Sequence, residues 1–233
     1  MTILDTTMTP VRFRPVVFDL YSSIHKGIRS EMFALVTSAG RLDPNDEFGI
    51  VAFADHVGSM AHLLKHHAST EDRHIGPVLA EVAPWLADRI EADHEAFEHR
   101  FPSLAVLAED IRSAASHATA LHEVYIELAA FTSSYLTHQD LEEREVNPAL
   151  EDAVGPDGMA AIHHEIIANM NPRELISTLA VMLPAMNVDE RSGLLGGMHA
   201  TAPAEAFDAV WSLAGSVLTA ADHQAVAVRI GLG

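Results

Sequence analysis

The chain has no cysteine among its 233 residues, which removes disulfides, thiolate zinc sites, cysteine-held iron–sulfur clusters and thiol nucleophiles together. Any metal it binds must be held through nitrogen and oxygen. Basic residues are also scarce: 14 lysines and arginines stand against 33 acids, for a formal charge of −19. The acids are spread along the chain, so a polyphosphate partner is repelled at long range and nucleic acid binding is not expected. No stretch approaches the 18 or so uninterrupted apolar residues of a membrane span. The opening MTILDTTMTPVRFRPVVF lacks the charged start and apolar run of a signal peptide. A cytoplasmic protein without a membrane partner is the expectation. Aromatic residues make up only 6% of the chain, and no segment alternates apolar and polar over five residues, so strands are not expected either.

Hydrophobic residues make up 48% of the chain, enough to fill a core at this length, and they recur at intervals of three and four, the helical period. A first helix is predicted from Val16 to Ala39, with Tyr21, Ile24, Ile28, Met32 and Leu35 along one stripe. A second spans Asp46 to His74 and is interrupted by Pro77; a third runs from Pro84 to Phe101, with Pro102 as its stop. A fourth ends near Arg144, before NPALEDAVGPDG. Four long amphipathic helices on short connections bury their stripes most simply as an antiparallel four-helix bundle. The expected fold is therefore all-α. It comprises a lead-in over residues 1–14, a bundle over 15–150 and a C-terminal α-helical extension over 156–233. In that extension Asn171-Pro172 and Thr201-Ala202-Pro203 mark helix starts. Its segment Ala204 to Leu218 is apolar around most of its girdle, so it needs cover from the bundle or from a second copy of the chain, a homodimer through the C-terminal helices.

Fifteen histidines are the chain's chemical surplus. Residues four apart on a helix lie on one face about 6 Å apart along the axis and can reach one ion. Three predicted helices offer such a pair: His67 with Glu71 in HHASTEDRH, His94 with Glu98 in ADHEAFEHR, and His138 with Glu142 in YLTHQDLEERE. Each histidine falls in or beside an apolar stripe, and the first helix adds His25 in the same position. One inward histidine is ordinarily a core ring bonded to a carbonyl. Four of them, three with a carboxylate one turn on, bury charges that only cations make affordable. Nitrogen and oxygen donors on facing helices suit iron, manganese or zinc, and seven are too many for one ion but natural for two sharing bridging carboxylates. His66 and Asp72 are expected to face water, as are His163 and His164. His74, Tyr21 and Tyr135 are candidates to stand behind the ligands. A ferritin-like alternative, built on Glu71-x-x-His74 and Glu91-x-x-His94, would need a single inward glutamate where the first helix offers His25.

The order of these motifs resembles the hemerythrin-like, or HHE cation-binding, domain over about residues 15–150. The resemblance implies a bundle holding two non-haem iron ions, with manganese as the other fitting metal, bridged by water or hydroxide. It implies ligation by His25, His67, Glu71, His94, His138 and Glu142. Oxygen-carrying members have a second histidine where this chain has Glu98, and an aspartate five residues after the last histidine where this chain has Glu142 four after. Both departures move the ligand set toward carboxylates, favouring the higher oxidation state. The implied partner is dioxygen or hydrogen peroxide, bound, reduced or disproportionated at the centre, which would make the protein an oxidoreductase. Two other readings follow from the same residues: a sensing module whose C-terminal helices report the state of the iron, or a carrier that delivers or repairs iron without turnover.

Overall fold

The computed structural model describes residues 13–233; most of the predicted lead-in, residues 1–12, lies outside the described residues. Residues 13–21 are not helical. Arg14 pairs with Asp152, and the amides of Val17 and Phe18 donate to the Glu151 carboxylate at 2.6 and 3.1 Å. The first helix therefore starts later than its apolar stripe suggests. Asp19 accepts the amides of Tyr21 and Ser22, both at 2.9 Å, and that turn launches α1, Ser22–Arg41. After a short loop, Asp46 caps α2, Glu47–His74, by accepting the Gly49 amide.

Pro77 sits in the first turn of a short α3, Gly76–Val82, and Pro84 opens α4, Pro84–Asp110. Here the structure departs from expectation: Pro102 does not stop the helix. Its missing amide and ring cost about 3 kcal/mol in a helix interior, but Phe101, Leu104 and Ala108 are buried on both sides of it. Each fully buried large apolar side chain returns about 1.5–3 kcal/mol, so packing carries the helix through.

Ser116 caps α5, His117–Leu141, which passes into a π turn over Glu142–Val146 and then α6, Asn147–Asn169. The boundary expected at NPALEDAVGPDG lies at Gly155, whose φ of 69° breaks α6 in a conformation cheap only for glycine. Four shorter helices follow: α7, Pro172–Ala185; α8, Val188–Thr201; α9, Ala204–Val217; and α10, Ala220–Ile230. Asn171 and Asn187 each close a reciprocal capping box, with Glu174 and Glu190 respectively.

The helices α1, α2, α4 and α5 form a ring in which neighbours run antiparallel. Glu31 meets His56 between α1 and α2, Asp72 meets His94 while Lys65 meets Glu98 between α2 and α4, and Phe97 and Phe101 meet Tyr135 and Phe131 between α4 and α5. One apolar core fills the ring from Ile28 to Ala39 on α1 and from Leu121 to Tyr135 on α5. A second, built on Tyr21, Ile75, Leu79, Leu86, Ile90, Val146, Leu150, Met159 and Ile162, closes the other end. The histidine-bearing turns lie between these two cores.

The C-terminal helices build a third core on Leu179, Leu183, Leu195, Val210, Ala214 and Val226. Buried Arg191 ties it together, donating to the Leu183 and Pro184 carbonyls at 2.7 and 3.0 Å and meeting Asp222 at 3.3 Å. Helix α7 lies along α1, and Gly27 makes the approach close: a β-carbon there would stand 2.9 Å from the carbonyl oxygen and Cγ1 of Val181. Among the described residues, no helix is long and apolar enough to cross a membrane.

Candidate metal centre

Six of the seven residues predicted as ligands meet in one buried cluster: His25 from α1, His67 and Glu71 from α2, His94 from α4, His138 from α5 and Glu142 from the π turn. The seventh does not. Glu98 lies on the surface of α4 and pairs with Lys65 at 3.4 Å, because the inward face of that helix is taken by His94, Phe97 and Phe101. The shift toward carboxylates expected at this position therefore falls away, leaving four histidines and two glutamates. The ferritin-like alternative also lacks its parts, since Glu91 is exposed and His74 turns toward Glu165 at 3.6 Å.

Within the cluster the histidines form two pairs. The rings of His25 and His67 are 5.3 Å apart, and those of His94 and His138 are 4.9 Å apart. Each glutamate spans both pairs. Glu71 sets Oε1 at 3.2 Å from Nε2 of His67 and Oε2 at 3.3 Å from Nε2 of His94. Glu142 sets Oε2 at 3.3 Å from Nε2 of His25 and Oε1 at 3.2 Å from Nε2 of His138.

None of these contacts has hydrogen-bond geometry. Nε2 of His25, His67 and His138, Oε2 of Glu71 and both carboxylate oxygens of Glu142 are buried without a hydrogen-bond partner. A buried polar atom left so costs about 1–3 kcal/mol, and native structures rarely tolerate several converging on one spot. Cations between the two carboxylates and four imidazoles satisfy all of them, so the donor set fits a metal. Among the described residues, two groupings have the spacing to hold a metal ion: Glu71, His94, His138 and Glu142, and His25, His67 and Glu71, which share Glu71.

Two imidazoles are held from behind by carboxylates that sequence periodicity does not single out, and a third has one nearby. His25 donates Nδ1–H to Glu143 at 2.9 Å, and Glu143 also receives Arg29 at 2.6 Å. His94 donates Nδ1–H to Asp72 at 2.7 Å, so Asp72 does not simply face water as expected. Asp93 lies 3.6 Å from Nδ1 of His138. That last approach is too long for a hydrogen bond, but for His25 and His94 the backing fixes the tautomer, turns the Nε2 lone pair inward and raises its basicity. The one available signal was adjacency: Asp72 follows Glu71, Glu143 follows Glu142, and Asp93 precedes His94.

Without metal the electrostatics are polarised. Burial, reinforced by His25, holds His67 well below the usual histidine range. Burial and the neighbouring Glu142 push the Glu71 carboxyl well up. Glu142 goes the other way: burial opposes its charge, but His138 and His25 hold it below the usual carboxylate range. Burial also opposes a charged His94, yet its hydrogen bond to Asp72 and the adjacent Glu71 and Glu142 carboxylates push it up to about 10. Tyr21, 5.2 Å from the His25 ring, and Tyr135, 5.6 Å from that of His138, flank the cluster. Burial and the two glutamates raise both phenols well above their ordinary value, so both keep their protons.

Exposure differs across the cluster in a way that marks its approaches. His25, Glu142 and His138 are 0–2% exposed, whereas His67, His94 and Glu71 reach 8%, 6% and 5%. A cavity of about 390 Å³ between α2, α4 and α5 reaches His94 and Tyr135. Another, of about 320 Å³, reaches His67 and Glu71. His66, expected at the surface, is only half-exposed and meets Glu174 at 3.5 Å, whereas His163 is exposed as expected, with its ring edge-on to Phe18 at 5.5 Å.

No curated protein and no solved structure matches the chain significantly. Residues 16–150 match the hemerythrin HHE cation binding domain. With that match covering more than half of the chain and the buried histidine–glutamate cluster lying wholly inside it, the protein belongs to the hemerythrin HHE cation-binding family.

Proposed function

We propose that the cluster holds a dinuclear non-haem iron centre with a bridging water or hydroxide, at which dioxygen or hydrogen peroxide is bound or reduced. The observation that carries this reading is the span of the two glutamates: each turns one oxygen to the His25–His67 pair and the other to the His94–His138 pair. Two carboxylates so placed favour two ions over one, and the nitrogen and oxygen donor set suits iron, with manganese as the alternative. Iron bound there supplies two one-electron changes of oxidation state, enough to reduce peroxide by two electrons.

The protein's own contribution is geometric and electrostatic. Glu143 and Asp72 hold the His25 and His94 rings by their Nδ1 protons. The apolar cores on both sides exclude bulk water, and the Tyr21 and Tyr135 phenols remain O–H donors. The cavity ending at His94 and Tyr135 gives a small oxidant a way in. A sensing role is the second reading, favoured by the way α7 lies along α1, the helix that carries His25.

The test is the metal content of protein purified under air without added metal, together with its visible spectrum before and after a small addition of peroxide. Two irons per chain with an oxo-to-iron band that changes on peroxide is the expected result. Zinc, or substoichiometric metal with no band, refutes the redox reading.

A further inference from the structure

The cavity that ends at His67 and Glu71 has a composition unlike the rest of the site. It lies between α1 and α2 on one side and α6, α7 and α8 on the other, so the C-terminal helices supply half of its wall. Ile24, Leu63, Ile166, Met182 and Leu194 make the wall apolar. Met170, Met182 and Met186, three of the chain's nine methionines, line this one space. Methionine is the side chain that best adapts to a bound apolar shape. Concave, mostly apolar pockets of a few hundred Å³ with few polar groups are the usual form of a small-molecule site.

Charge and size narrow the occupant. The lining contains no lysine or arginine. Its acids are already engaged: Glu190 with Lys26, Asp19 with the Tyr21 and Ser22 amides and Asn147, and Glu71 with the histidine cluster. His66 faces Glu174, and partial desolvation of the ring with the neighbouring His164 lowers the His163 imidazole below its ordinary value. An anion entering here would meet three carboxylates and no lysine or arginine. The hydroxyls of Ser23 and Thr178 and the His163 ring suit one hydroxyl or carbonyl. An apolar cavity of about 150 Å³ holds benzene, so one of about 320 Å³ takes two fused rings or an alkyl chain of comparable volume.

We infer that this cavity is a binding site for a neutral, mostly apolar organic molecule of two-ring size carrying one polar group, walled by the C-terminal helices and reaching the His67–Glu71 edge of the cluster. The binding itself depends only on the walls; that the occupant lies beside a redox centre rests on the proposed function.

The test uses the full chain as purified, with 1-naphthol and 1-octanol as neutral probes and octanoate as the charged one, titrated by calorimetry. The neutral probes are expected to bind once per chain and octanoate at least tenfold more weakly. Met182→Trp and Leu194→Trp, which fill the space from α7 and α8, are expected to weaken naphthol binding at least tenfold without changing metal content or melting temperature. Should either variant fold poorly, the methyl NMR signals of the wild-type methionines decide: those of Met170, Met182 and Met186 shift with naphthol while that of Met32, buried in the bundle core, does not. Absent binding, equal binding of octanoate, well-folded variants that still bind, or unmoved methionine signals would each overturn the inference. Metal analysis of the same samples separates the two claims. A metal-free chain that binds naphthol refutes only the redox centre, and a metal-loaded chain that ignores it refutes only the cavity site.

Discussion

Removing the metal should cost the protein much of its stability, and the cluster sets the scale. Six ligand-set atoms, on His25, His67, Glu71, His138 and Glu142, are buried with no other hydrogen-bond partner. At the lower figure of about 1 kcal/mol each, leaving them unsatisfied costs on the order of 6 kcal/mol, against a total stability of roughly 5–15 kcal/mol for an ordinary domain. For a chain of this length 1 kcal/mol moves the melting temperature by about 2–4 °C, so complete chelation should lower it by roughly 12–24 °C. Proton uptake by Glu71, whose carboxyl is already pushed up, relieves part of the strain and draws the value toward the lower end. Differential scanning calorimetry at pH 7, before and after chelation verified by metal analysis, measures this. A double variant gives the control: Glu71→Met with Glu142→Met abolishes metal binding but removes both buried carboxylates, and should melt above the chelated wild type, since apolar replacement of a buried ionic group is often neutral or stabilising. A melting temperature unchanged by chelation would refute the argument that these atoms depend on a cation.

Asp72→Asn should keep the fold but weaken metal retention about 10–100-fold in a chelator competition, the usual cost of losing a group that orients a ligand, because His94 loses its carboxylate partner; undiminished retention would mean that Asp72 is only a surface acid. Glu98→Ala, by contrast, should leave metal stoichiometry and spectrum unchanged, since that side chain pairs with Lys65 outside the cluster, and a loss of metal would restore it as a ligand. Gly27→Val should destabilise by about 1–3 kcal/mol in urea unfolding, the range for overpacking, because the new side chain strikes Val181 on α7; the accompanying sign is faster hydrogen exchange in α7. Acid should loosen the starts of α7 and α8. Glu174 is held low by the Asn171 amide and His66; Glu190 is held low, against burial, by Lys26 and the Asn187 amide. Groups with folded values below their unfolded ones stabilise above the unfolded value, near 4.5, and lose that contribution as pH falls through the folded value. Amide exchange at residues 172–175 and 188–191 should therefore quicken as pH falls below about 4.5 relative to the helix centres, after correction for intrinsic rates, and a pattern insensitive to acid would show that the capping boxes contribute nothing.

Periodicity made much of this legible. His25, His67, Glu71, His94, His138 and Glu142 could be picked out because each falls on the stripe that buries its helix, and the helical phase survives over the whole length of α1, α2 and α5. Spacing could not distinguish Glu98 from Glu71, because a partner four residues on is displaced by about 40°, and which side of the stripe faces a ligand and which faces Lys65 is decided by the neighbouring helix. Asp72 and Glu143 escaped for the complementary reason: each points about 100° away from its neighbour on its own helix, yet reaches the back of a histidine on another one. The continuation of α4 past Pro102 was hidden because local backbone preference argues against it, and only the burial of Phe101, Leu104 and Ala108 outweighs that preference. The cover for Ala204 to Leu218 was similarly open until α7, α8 and α10 were seen to share a core with α9.

The π turn at Glu142–Val146 acts as a phase shifter. A residue added within a helix advances everything downstream by about 100°, and here the advance falls between the last residue of the cluster and the first residues of the closing core. Upstream, α5 is phased to aim Tyr135 and His138 into the bundle; downstream, Val146 and Leu150 are phased to meet Leu79 and Ile162 beneath it. One continuous α-helix could satisfy only one of those alignments. Deleting Glu145 would restore a regular helix, keep Glu142 in place and swing Val146 and Leu150 off their core, so the same chain would hold its ligands and lose the floor under them. The irregular turn is thus the joint that lets a metal-binding register and a packing register coexist on one helix.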